Sequence, residues 1–131
     1  MDVPEQLRRD AEELTQITGC RVELVPNGIQ IGIIVKQADL RGGAYSKLRS
    51  DVLMLTDYQY PMSAMDMLYM EPDVQYASGP IPAHANTVEE QVGRPWRRWS
   101  WHRNGIWRPG FDNLLSHWAF VEACWAKERP Q

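Results

Sequence analysis

The chain predicts an α+β fold, with helices set at the two ends of an antiparallel meander. Three observations carry that prediction. Residues 2–18 repeat their apolar side chains at helical spacing, and residues 111–128 do the same. Between them, β-rich runs are joined by short turns, the clearest being Pro26-Asn27-Gly28. Helices at the ends of a set of strands, instead of alternating with them, belong to the α+β class.

The elements follow in order. "DVPEQLRRDAEELTQIT" opens the chain as a helix. Leu7, Ala11, Leu14 and Ile17 form its apolar stripe; Asp2 and Glu5 resemble a capping pair, Pro4 suits the first turn, and Gly19 stops the helix. "CRVELV" and "IQIGIIV" then flank the Asn-Gly turn as two hairpin strands, with Ile29, Ile31, Ile33 and Val35 on one face. A loop is expected around Arg41, Gly42 and Gly43. "SDVLMLT" (50–56) predicts a third strand and "MDMLYM" (65–70) a fourth. The turn "DYQYPMSA" joins them, holding Tyr60 extended before Pro61.

From Glu71 to about Pro95 the pattern reads as a long irregular strap. Pro72, Gly79, Pro80 and Pro82 interrupt it, and a short helix is predicted near "TVEEQV". "FDNLLSHWAFVEACWAKE" closes the chain as a helix, with Leu114, Trp118, Val121 and Trp125 on one face and Asp112 as its cap.

A length of 131 residues suits one domain over 1–131, large enough to bury a core without disulfides or metals. The two cysteines, Cys20 and Cys124, form no CxxC and read as small buried hydrophobes. No apolar signal segment opens the sequence, and the longest apolar run, "IGIIV", is too short to span a bilayer. The expected setting is soluble, reducing and cytoplasmic, with no membrane partner.

A net charge of −3 argues against nucleic acid as the default partner. The exception is local. "GRPWRRWSWHRNGIWRP" (93–109) holds four tryptophans, five arginines and a histidine. Such a strap could stack single-stranded bases. The plainer reading wedges its tryptophans into the core, while its arginines pair with acids or lie on rings.

Ser100 and His102 have the residue types of a nucleophile and its base, with Asp112 as a possible third group. His84, His102 and His117 lack metal-ligand spacing to each other or to Glu89 and Asp112, so no metal site or cofactor is predicted. "MSAMDMLYM" is rich in methionine, which suits either adaptable protein contacts or a buried strand.

Four tokens in this order resemble the ubiquitin-conjugating-enzyme fold. Tyr60-Pro61 falls in the turn between strands three and four, where the family has Tyr-Pro, then Pro-Pro, then an aromatic. Here Ala64 and Met65 replace the prolines and Tyr69 holds the aromatic position. His84-Ala85-Asn86 looks like the His-Pro-Asn tripeptide, and Gly93-Arg94-Pro95-Trp96 like the segment that ends in the catalytic cysteine. Trp107-Arg108-Pro109 looks like Trp-Ser-Pro. "YPMSAMDMLY", "WRRWSWH" and "WRPGFD" together resemble the prokaryotic ubiquitin-conjugating-like family labelled E, over nearly the whole chain.

The resemblance implies a bacterial ubiquitin-like modification pathway. Its expected partners are a ubiquitin-like protein, an adenylating activating enzyme and a de-conjugating metalloprotease. It places Tyr60, Pro61, Met62 and Met65 near partner surfaces, and Arg97 and Arg98 join them as candidate partner-binding residues. Active members form a thioester, which needs an accessible thiolate. Trp96 stands at that position, and an indole forms no thioester. Asn86, with His84, would then be an oxyanion device without its nucleophile or simply a turn residue. A non-catalytic variant follows. The alternatives are transfer through Ser100 and His102 with His84 and Asn86, or single-strand nucleic-acid binding.

Overall fold

The structure, a computed structural model, describes residues 2–40, 44–77, 79, 81, 83–102 and 105–127. The loop expected at Arg41–Gly43 lies outside them, as do Pro80 and Pro82.

Helix α1 spans Glu5–Thr18 and buries Leu7, Ala11 and Leu14. Asp2 does not cap it: Pro4 holds the N-cap position without a side-chain hydrogen bond. Gly19 ends the helix at φ +72°, in the left-handed region where glycine has no Cβ to clash. Ile17 departs from the expected stripe at 61% exposure. It borders a surface pocket shared with Cys20, Ala38 and Trp118, so the last turn meets a gap instead of the sheet. Cys20 and Cys124 are half-buried, not fully buried as expected.

Strands β1 (Val22–Asn27) and β2 (Gln30–Asp39) form the predicted hairpin, closing at Asn27 opposite Gln30. Gly28 takes φ +67° in the turn, and Ile29 at the tip is exposed instead of sharing the buried face. Strand β3 spans Arg49–Asp57 and β4 only Leu68–Met70. Met67, at φ +56°, breaks the run that predicted a longer fourth strand.

The described residues of the strap are irregular as expected up to Asn86, apart from a 3-10 turn at Ala83–Ala85, but not beyond it. Thr87–Gln91 is strand β5 and Arg94–Trp99 is strand β6. The segment read as a short helix therefore pairs as a strand, with alternating exposure along its length. Val92 and Gly93 both have positive φ, as a two-residue turn with the right-handed strand twist requires. All neighbours are antiparallel in the order β1-β2-β3-β4-β6-β5. The expected four-stranded meander is thus the first part of a six-stranded sheet.

Helix α2 spans Leu114–Lys127 and buries Leu114, His117, Trp118, Val121 and Trp125. Its cap is one residue later than expected. Asn113 Oδ1 accepts from the Ser116 N–H at 3.0 Å, and Ser116 Oγ accepts from the Asn113 N–H at 2.9 Å. This is a reciprocal capping pair.

Alternation along each strand gives the sheet two different faces. On the inner face Ile31, Ile33, Val35, Val52, Met54, Leu68, Met70 and Trp99 meet both helices in one core. On the outer face Ile34, Leu53, Tyr69 and Trp96 form a small second core. The β5–β6 turn folds onto it: a Cβ built on Gly32 would lie 2.8 Å from Val92 Cγ1 and 3.2 Å from Leu53 Cδ1. Only glycine leaves room for Val92 there.

Candidate functional site

Two loops build the site. Residues 58–67 join β3 to β4, and the second loop runs from 100 to 113 between β6 and α2, with Arg103 and Asn104 outside the described residues. Hydrogen bonds clamp the two together. The Trp107 indole N–H donates to the Pro61 carbonyl at 2.9 Å. The Met67 N–H donates to the Trp101 carbonyl at 3.1 Å. From α2, buried His117 Nε2 lies 2.9 Å from the Met67 carbonyl. A carbonyl only accepts, so that nitrogen carries the proton. Met67 is therefore bonded on both sides. This holds a left-handed conformation that costs a non-glycine residue about 1 kcal/mol.

Tyr60 anchors the first loop. Its hydroxyl donates to Asp10 Oδ2 of α1 at 2.5 Å and accepts from the Leu114 N–H of α2 at 2.7 Å. One phenol thus satisfies a buried carboxylate and an orphan donor of a helix start. Burial, and then the Asp10 carboxylate, pushes its pKa well above the usual tyrosine range. The Tyr60–Pro61 peptide bond is cis.

Above this clamp His102 Nδ1 meets Asp66 Oδ2 at 2.7 Å, with both side chains reaching solvent. Beside them is a surface pocket of about 160 Å³ lined by Ala64, Met65, Asp66, Gly105 and Trp107. The expected third group, Asp112, is engaged elsewhere: its carboxylate accepts from the Arg108 N–H at 2.8 Å and from the Ser116 hydroxyl at 3.2 Å. Among the described residues Ser100 Oγ makes no hydrogen bond to His102. Ser100 instead donates its N–H to the His84 carbonyl at 2.9 Å. The His84 ring lies against Trp99 and Trp101, with centroids 5.7 Å away in each case. Asn86 is exposed and accepts from the Thr87 hydroxyl at 3.4 Å. The three histidines meet different partners, and no metal-holding group of His, Cys, Asp and Glu occurs among the described residues.

Trp96 is fully buried in mid-strand, on the outer face. Its indole N–H donates to the Gln91 carbonyl at 3.0 Å, and the Arg94 guanidinium covers its ring 4.1 Å from the centroid. Arg94 also pairs with Asp51 at 3.0 Å. Burial alone would raise the Asp51 carboxyl. Hydrogen bonds from the Gln37 side chain and amide, Arg94 and Lys36 outweigh it and hold the group well below the usual carboxylate range. Arg97 donates to the Pro72 and Ala85 carbonyls at 2.9 and 2.8 Å. Arg98 pairs with Glu89 at 3.5 Å, and Glu89 accepts the Tyr69 hydroxyl at 2.7 Å. That phenol lowers the Glu89 pKa, while burial and then Glu89 raise that of Tyr69.

Of the residues expected at partner surfaces, Tyr60 and Met65 are buried, Pro61, Arg97 and Arg98 are half-buried, and Met62 is 64% exposed. Sequence reasoning missed Asp66 as a partner of His102. The two lie thirty-six residues apart, so no spacing signal links them. It also missed His117 as the support beneath Met67.

A family model described as prokaryotic E2 family E matches residues 7–128. No curated protein and no solved structure matched the chain. No helix among the described residues is long and apolar enough to cross a membrane.

Proposed function

The chain belongs to prokaryotic E2 family E, and on that premise we propose that it works in a ubiquitin-like modification pathway without carrying the acyl group itself. It binds the ubiquitin-like protein or its activating enzyme and presents one to the other. The burial of Trp96, with its indole N–H committed to Gln91, is the observation that supports this reading. The residue that falls at the nucleophile position has no reactive atom and no access to solvent. Neither thiol is a substitute: Cys20 precedes β1 at the far edge of the sheet from β5, and Cys124 sits within α2.

The Pro61–Met62 corner suits a docking surface, with exposed Ile106 beside the indole that bonds Pro61. The arginines favour a protein partner over single-stranded nucleic acid. Arg94, Arg97 and Arg98 are engaged within the chain, and those bonds compete with phosphate contact. The test is incubation with a ubiquitin-like protein, its activating enzyme and ATP, read by non-reducing electrophoresis and by co-elution. Co-elution without a thiol-sensitive adduct is expected. An adduct at Cys20 or Cys124 overturns the reading.

A further inference from the structure

We propose that Asn27-Gly28, at the tip of the β1–β2 hairpin, is a self-modifying site. It loses ammonia through a cyclic imide and becomes an isoaspartyl or aspartyl linkage, with water as the only co-reactant. The inference goes beyond the pathway reading and does not depend on it.

The chemistry needs three conditions together. The side-chain amide carbon of an asparagine must be free to swing onto the main chain. The nitrogen of the next residue must be free of a hydrogen bond. That nitrogen must also be uncrowded. Asn27 is half-buried at the end of β1, and its side chain makes no hydrogen bond among the described residues. The Gly28 N–H lies in the turn, outside the strand ladder, and donates to no group among the described residues. Of the two turn residues only Gly28 has positive φ, so the turn is of the type that sets glycine first. A Cβ built on Gly28 would meet nothing within 4 Å. Ile29, the other turn residue, is 87% exposed, so water reaches the tip.

Elsewhere the fold denies the same reaction. Asn113 Oδ1 accepts from the Ser116 N–H at 3.0 Å, and the Leu114 N–H that would attack donates to the Tyr60 hydroxyl at 2.7 Å. Both bonds must break before a ring can close there. Asn86 precedes Thr87, whose branched side chain crowds the attacking nitrogen.

A solvent base takes the Gly28 amide proton, and the nitrogen attacks Asn27 Cγ. The N–Cγ bond forms and the Cγ–Nδ2 bond breaks. Nδ2 leaves as ammonia, with a proton from solvent. Water then opens the five-membered imide. Attack at Cγ gives an ordinary aspartyl residue. Attack at the main-chain carbonyl carbon leaves the chain running through Cβ and Cγ, an isoaspartyl link one carbon longer. That link takes Asn27 out of register with Gln30, the pair that closes the hairpin. Either product adds a carboxylate to a cross-strand row that already holds Asp57. Strand β1 is outermost and pairs with β2 alone, so the change stays at that edge of the sheet.

The test incubates the full chain in mildly alkaline buffer, folded and in guanidinium chloride. Each asparagine is read by peptide mapping, and isoaspartate by methyl transfer from S-adenosylmethionine with an isoaspartyl methyltransferase. Mapping separates Asn27 from the second Asn-Gly, Asn104-Gly105. Folded Asn27 should be converted at nearly its rate in denaturant. Folding should slow Asn113 about tenfold or more, the factor set by about 1.4 kcal/mol of hydrogen bonding to be broken. Asn27→Gln, which would need a larger ring, should lose the product at this site and keep the circular dichroism of the wild type. Hydrogen exchange in the isoaspartyl fraction should quicken at residues 25–30. A folded Asn27 that reacts about tenfold or more slowly than in denaturant, a protection of about 1.4 kcal/mol, overturns the proposal. So does a folded Asn27 that reacts no faster than folded Asn113.

Discussion

The two faces of the sheet bury their tryptophans by different means. Trp99 on the inner face lies under both helices' core and against Tyr45, His84 and Trp101. Trp96, three residues earlier, points the other way. A small cluster, an arginine and a hairpin turn cover it. Both are fully buried. The inner site is closed by elements whose apolar stripes show in the sequence. The outer site is closed by single side chains that meet only after the sheet has formed.

The largest effect that would sharpen this contrast is Trp99→Ala. It should cost about 3–5 kcal/mol, because a helix-packed core relaxes little around a cavity. Urea unfolding should show a much lower midpoint. A loss no greater than that of a surface substitution would contradict the packing described.

Next is Asp51→Asn, at the charged border of the outer face. At neutral pH it should cost about 2 kcal/mol, since hydrogen bonds to Lys36 and Arg94 lose their charge. The pH dependence has a definite sign. A carboxyl held below its unfolded value contributes stability above about pH 4. That contribution is lost as pH falls through the lower folded value. The gap between wild type and variant should therefore narrow between about pH 4 and pH 2 in urea titrations. A gap constant over that range would deny Asp51 its role.

The smallest expected effect is Gly32→Ala. The new Cβ meets Val92 at 2.8 Å, and Val92 sits on a turn that can give way. A cost of about 1 kcal/mol is expected, with faster hydrogen exchange confined to the β5–β6 turn. Slower exchange there would mean that Val92 does not lie over Gly32.

The same division explains what could be read in advance. Leu7, Ala11 and Leu14 announced α1, and Leu114, Trp118, Val121 and Trp125 announced α2, because helical periodicity repeats over several turns. Asn27-Gly28 announced the first hairpin through its turn chemistry. The second hairpin was misread. Thr87–Gln91 is too short for alternation to outweigh the helix preference of Glu89, Glu90 and Gln91, and Val92-Gly93 is a weak turn signal. Pairing with β6 decided that segment. The site divides likewise. His102 was singled out by its chemistry, but its acid was sought at Asp112, which caps backbone and a serine near α2 instead.

The sequence by itself determined the α+β class, the two helices, the first three strands and the family, because these rest on local periodicity and on residues in fixed order. Only the tertiary structure decided that the strap ends in a hairpin, that Trp96 is sealed on the outer face, and that Asp66 is the partner of His102. The last two depend on groups far apart in the chain, and the hairpin is held in the sheet by the pairing of β6 with β4. Their meeting is set by strand pairing and by which face a side chain takes, and a one-residue change in register would reverse the face.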